Sequence, residues 1–246
     1  MSDKNISHGK QGESAPLSFD FGSNWKAFSD AKLDARRLQN AVQSLRELIG
    51  AENVKGRTFL DVGCGSVAAP HFCVGSVLDD KFLAELGTFD IVYAWGCLHH
   101  TGDMWQAICN TASLVKSETG TLVMSIYNYH WTSPVWKQVK FLYNVSPRPV
   151  RWLLNYLFGA LVYAGVWATT RQNPLKKERG MDFWYDVIDW LGGYPYEYAR
   201  VADVVNFVYA LGFQVEQVVK TRGWTGCNEF VFKRSKLSPC RTERRA

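Results

Sequence analysis

Two short runs carry residue types suited to chemistry. In FLDVGCGS the carboxylate of Asp61 precedes two glycines, Gly63 and Gly65, spaced by one residue. Glycines at the carboxyl end of a strand let a backbone turn pass close to a ligand. A tight strand-to-helix turn with no ligand uses the same residues, and the Gly/Lys/Ser-Thr spacing of a phosphate loop does not follow. In FDIVYAWGCLHHTGDMWQAI, His99 and His100 come just after a second apolar run. An imidazole placed there titrates near neutrality and can take a proton from a reacting group. Packing, or capping of a helix that begins near Asp103, is the competing reading.

A third group is looser. Tyr127 and Asn128 end a further apolar run, and Asp186, Asp189, Tyr194, Tyr196 and Glu197 surround Gly192-Gly193 in WYDVIDWLGGYPYE. From these, Tyr127, Asn128, Tyr194 and Glu197 are the candidate substrate contacts, with a plain turn between two helices as the rival for the second cluster. No metal centre is expected, because His99 and His100 are adjacent, no i,i+4 histidine pair exists and the cysteines are scattered. No Gly-x-Ser-x-Gly elbow is present.

The elements that must hold these residues alternate. Residues 58–62 (TFLDV), 89–95 (FDIVYAW) and 121–127 (TLVMSIY) are short apolar runs rich in strand formers, with a helix predicted over 104–115. Alternating strands and helices argue for a parallel sheet. Upstream, Leu38, Val42, Leu45 and Ile49 recur at helical spacing, with Ser29 and Asp30 as N-cap candidates and Gly50 as the stop. Downstream, Val204, Phe207, Val208 and Leu211 share a helical face closed by Gly212. Residues 213–219 and 228–233, separated by TRGWTG, suit an antiparallel closing hairpin.

This predicts a flexible arm over 1–20, an α/β domain from 21–127 and 201–234, a helical aromatic-rich insertion over 128–200, and a basic tail over 235–246. A chain of 246 residues, 47% of them hydrophobic, has enough apolar surface for a core of that size. The net charge of +5 comes largely from the tail, which reads as solvated before it reads as a nucleic-acid contact. Six cysteines without a C-x-x-C pair, and an N-terminus without a secretory apolar core, point to a reducing cytosol. Residues 152–170 are uncharged and mostly apolar, between Arg148 and Arg151 on one side and Arg171, Lys176, Lys177 and Arg179 on the other. That pattern leaves three readings open: core of a helical subdomain, a lid over an apolar substrate, or a peripheral membrane helix.

Taken together, FGSNW, FLDVGCGS, GSVLDD, LHHTGDMW, RGMDFWYDVIDWLGGYPYE and GCNEFVFKR give the chain a resemblance to the class I S-adenosylmethionine-dependent methyltransferases, particularly ubiquinone-biosynthesis-like small-molecule methyltransferases. The resemblance implies a Rossmann-like sheet and S-adenosylmethionine as cofactor. It implies that Asp61, Gly63 and Gly65 cradle the methionine part, flanked by backbone near Trp95 and Gly96, with Ser76 and Val77 near the adenine. It places His99 and His100 at the substrate opening.

The chain departs from that pattern after Gly65. The family continues through a helix, a second strand with an acidic end, another helix and a third strand, whereas here SVAAP leads directly into HFCVGSV. Parallel strands need a crossover of about a dozen residues or more, which 67–70 cannot supply. A truncated sheet is therefore expected, with 58–62 as an edge strand, a short helix over 79–86 linking it to 89–95, and an exposed flank that invites a homodimer. The functional expectation is methyl transfer to a small, apolar or quinol-like acceptor. The alternative is a non-catalytic remnant or binding module that has lost cofactor affinity, held at a membrane periphery.

Overall fold

The computed structural model describes residues 17–32, 35–50, 54–64, 71–117, 119–176, 182–221 and 226–235. Among these, the strands form one five-stranded sheet in the order β1-β2-β3-β5-β4. β1 (Phe59–Asp61), β2 (Ile91–Trp95) and β3 (Thr121–Tyr127) run parallel. β5 (Cys227–Arg234) lies antiparallel between β3 and β4 (Phe213–Val219), with a register shift between Val215 and Gln217. The expected Rossmann-like sheet with a closing hairpin is what forms, and β1 is one of its edges.

The strands alternate their side chains between two apolar layers, as the two-residue period of a strand requires. Val92, Ala94, Leu122, Met124, Phe230 and Phe232 face a core shared with α3 (Asp80–Leu86), α4 (Met104–Ser113) and α8 (Val201–Ala210), through Leu83, Ile108, Val204 and Val208 among others. Ile91, Val123 and Val231 face the other way onto Ile49, Leu45 and Leu48 of α2 (Ala35–Ile49). β3 has a strand on each side, and its first six residues are buried.

The link from β1 to β2 is made by α3, as expected, and residues 71–77 form no strand. Asp79 caps α3, its Oδ1 accepting from the N–H groups of Lys81 (3.0 Å) and Phe82 (3.3 Å). At its start β1 is tied to the sheet by Asp90. One carboxylate oxygen of Asp90 accepts from the N–H and hydroxyl of Thr58 and from the Lys116 ammonium at 2.8 Å. Lys116 foremost, then Thr58, holds that carboxyl well below the usual range.

Gly50 ends α2 in the left-handed region at φ 80°. Ser29 and Asp30, however, lie inside a separate helix, α1 (Phe21–Lys32), and not at the start of α2. Its N-terminal partner is Asp20, whose Oδ1 accepts from the Ser23 N–H at 2.9 Å. Tertiary contact, not periodicity, fixes α1. Phe28 is buried against Tyr185, and the Asn24 amide donates to Asp189 Oδ1 at 3.2 Å. The N-terminal segment joins in as well, since the Phe19 N–H donates to the Tyr194 carbonyl at 2.8 Å.

The aromatic segment is helical. α5 (Ser133–Val145), α6 (Arg148–Thr170) and α7 (Phe183–Gly192) pack around a separate cluster of Tyr143, Phe183, Val187 and Leu191. Phe158 stacks on Trp190 at its side, and Trp136 meets both edge-on, with centroids 4.2–6.0 Å apart.

Candidate active site

Parallel pairing brings the carboxyl ends of β1 and β2 side by side, with Asp61 in register with Tyr93. The chain then turns at Gly63, whose φ is 78°. A side chain there would be strained by the backbone and would also put its Cβ 2.7 Å from Cys97 Cβ. The contact is tightened by the Cys97 thiol, which donates to the Val62 carbonyl at 3.0 Å, while the Val62 N–H donates to the Tyr93 carbonyl at 2.7 Å. Gly65 lies outside the described residues.

A cleft of about 640 Å³ runs along β1, lined by Asp61, Gly63, Cys64, Val74, Val77 and Phe82 among others. That size falls in the range of small-molecule sites. Burial pushes Asp61 up to about 6, so a cation arriving beside it would relieve an existing electrostatic cost. Trp95 stacks on Tyr93 and is 36% exposed, and Gly96 turns at φ 73° into open space. Neither lines the cleft, and neither does Ser76, whose hydroxyl oxygen accepts from the Leu78 N–H. Of the pair expected near an adenine, Val77 alone faces the cleft.

The acidic residues nearest in sequence that could grip a ribose are already engaged. Asp79 caps α3, and Asp80 Oδ1 accepts from the Asn110 amide at 3.1 Å. The turn at Asp61 and Gly63 therefore presents a desolvated carboxylate to the cleft, while Asp79 and Asp80 each accept hydrogen bonds within the fold and Glu85 of α3 is exposed.

At the carboxyl end of β3 a second group assembles. Tyr127 packs on His99 (4.2 Å between centroids), Tyr196 (4.9 Å) and His100 (5.5 Å). His99 is 1% exposed, and its Nδ1 has no hydrogen-bond partner among the described residues. His100 Nδ1 lies 2.6 Å from the Pro195 carbonyl, so that nitrogen carries the proton and donates it. Burial takes His100 down to about 3 and His99 well below the ordinary imidazole range. Both rings are therefore neutral at physiological pH, and as proton acceptors they are weaker than a free imidazole.

The sequence reading missed Lys140 here. Its ammonium is buried, donates to the Trp190 carbonyl and sits over the rings of Trp190 (4.6 Å) and Tyr196 (5.0 Å). Burial lowers it to about 7, partly offset by Asp189. Among the described groups of this cluster Lys140 changes charge near neutrality, and so does Asp189, which burial raises to about 6. The available signal was positional, since Lys140 falls on the same helical face as Trp136 and Tyr143, where an apolar residue is expected.

Three expected substrate contacts are used otherwise. Glu197 accepts from the N–H groups of Gly102 (3.0 Å) and Met104 (3.2 Å), holding the start of α4 together with Asp103. Asn128 Oδ1 accepts from the Asn228 amide at 3.0 Å, joining β3 to β5. Tyr194 packs on Phe141 rather than on Tyr127; Tyr196 takes the place expected of it.

Comparison with known proteins gives little by sequence: no family model matches the chain, and no curated protein does. Solved structures with a similar course of the chain include magnesium protoporphyrin IX methyltransferase (ChlM) from Synechocystis PCC 6803 with bound SAH. That protein is 14% identical, with a TM-score of 0.47 over 87% of this chain and 94% of its own. An O-methyltransferase family protein from Burkholderia thailandensis is 17% identical, with a TM-score of 0.48 over 87% of this chain and 60% of its own. The functional reading rests on the residues of this chain.

Proposed function

We propose that this chain is an S-adenosylmethionine-dependent methyltransferase acting on a small, apolar or quinol-like acceptor in the cytosol. The observation that carries the reading is the Asp61–Gly63 turn, a desolvated carboxylate beside a positive-φ glycine pressed onto Cys97 at the joined ends of β1 and β2. When bound, the cofactor supplies an electrophilic methyl on a positively charged sulfur. Asp61 would hold the cationic end, and Gly63 would let the backbone approach it. His99, His100, Tyr127 and Tyr196 would orient the acceptor and exclude water from it. Lys140, near neutrality, is the group suited to receiving the acceptor's proton.

One observation favours a second reading, a methyltransferase-like binding module without cofactor affinity: Asp79 and Asp80 are both spent on the fold. Self-association through the edge of β1, which has no strand on its outer side among the described residues, is the available route to a homodimer. Calorimetry with S-adenosylmethionine and S-adenosylhomocysteine separates the readings. Saturable binding of both, lost by at least about 100-fold in Gly63→Val because of the clash with Cys97, supports the enzyme. A folded protein that binds neither at millimolar excess is the remnant.

A further inference from the structure

α6 shows two different faces. Its inner face is docked: Phe158 stacks on Trp190 at 4.8 Å, Tyr156 meets Trp184 at 5.2 Å, and a Cβ on Gly159 would come 2.6 Å from Trp184. The opposite face carries Leu153, Leu157 and Leu161 at four-residue spacing, 52%, 56% and 72% exposed. A row of bare leucines on a helix of 23 residues is a large apolar surface for a protein in water.

The charges around it say what covers it. From residue 119 to residue 177 the sequence contains no Asp or Glu. Arg148 is exposed at the start of the helix, and Arg171 and Lys176 are exposed just beyond its end. The geometry points to α6 lying in the plane of an anionic membrane surface, its leucines in the acyl boundary and the basic residues at both ends among the headgroups. A transmembrane course is disfavoured by the same facts. It would place cations on both sides of the bilayer, and it would carry α7, with Asp186 and Asp189, into the hydrocarbon. This inference stands whether or not the chain transfers methyl groups.

The test is flotation of the full-length chain with phosphatidylserine-containing vesicles and with neutral phosphatidylcholine vesicles, at low and high salt. Binding to the anionic vesicles is expected, weakened about 10-fold or more by Arg148→Glu with Arg171→Glu, and also by high salt. Leu157→Glu with Leu161→Glu, at exposed positions and with retention of the fold checked by circular dichroism, should abolish it. Failure to float with either vesicle overturns the proposal, as does equal binding to neutral vesicles. Sedimentation that shows a dimer dispersed by the leucine changes, with no lipid binding, would assign the face to a second copy of the chain.

Discussion

Two carboxyl ends of the same sheet hold the two halves of the candidate site. At β3, Tyr127 is enclosed by His99, His100 and Tyr196, which come from the β2–α4 turn and the segment after α7. At β1, a strand of three residues has β2 as its partner among the described residues, and the cleft opens along its outer flank. The half at β3 is closed by contacts reaching across some seventy residues of chain, whereas the half at β1 depends on a sheet edge. Burial perturbs both, in opposite electrostatic senses. In the enclosed half it lowers a lysine, and at the edge it raises a carboxylate.

That opposition is open to measurement. Lys140 has a folded-state value of about 7 against an ordinary value of 10.5, so its charge penalises the fold fully below pH 7 and ceases to do so as pH rises toward 10. The wild-type chain should gain stability across that window. Lys140→Met, which removes the charge but also the bond to the Trp190 carbonyl, should be more stable than wild type by about 2–3 kcal/mol at pH 6 and lack the alkaline rise. Denaturant titrations at several pH values would check it; a flat wild-type profile would mean that Lys140 reaches solvent.

Asp61 runs the other way. Its folded value of about 6 lies above the ordinary 3.8, so the wild type loses stability as pH rises from 4 to 6 and is level above that. Asp61→Asn should therefore be stabilised by about 1–2 kcal/mol at pH 7 while losing affinity for the cationic cofactor. In the wild type, that affinity should fall as pH drops through 6. Thermal melts and calorimetry on the same variant test both halves, and a destabilised Asn variant would show that the carboxylate has a structural partner. The smallest effect is expected at Glu197. Glu197→Gln weakens the bonds from Gly102 and Met104 and should cost about 1 kcal/mol. A loss of acceptor binding without loss of stability would return Glu197 to the substrate list.

What could be read from the sequence was local. β3, the stop at Gly50, the short helix α3 and the hairpin of β4 and β5 each follow from a few neighbouring residues whose period or turn chemistry has one solution. α1 was illegible because Phe28 and Asn24 are satisfied by Tyr185 and Asp189, more than 150 positions away. Tyr194 and Tyr196 are indistinguishable in sequence, and the path after α7 decides which one meets Tyr127. Glu197 looked free because its partners are backbone groups of a distant turn. Lys140 was hidden by its surroundings, since a cation within an aromatic run reads as surface until the helix is packed.

Gly159 lets α6 settle against the Trp184 indole through a bare hydrogen, so the helix is keyed into place by its rear surface alone. Its front leucines take no part in that joint. Residues along that front can therefore vary one by one without disturbing the geometry at Asp61 or Tyr127.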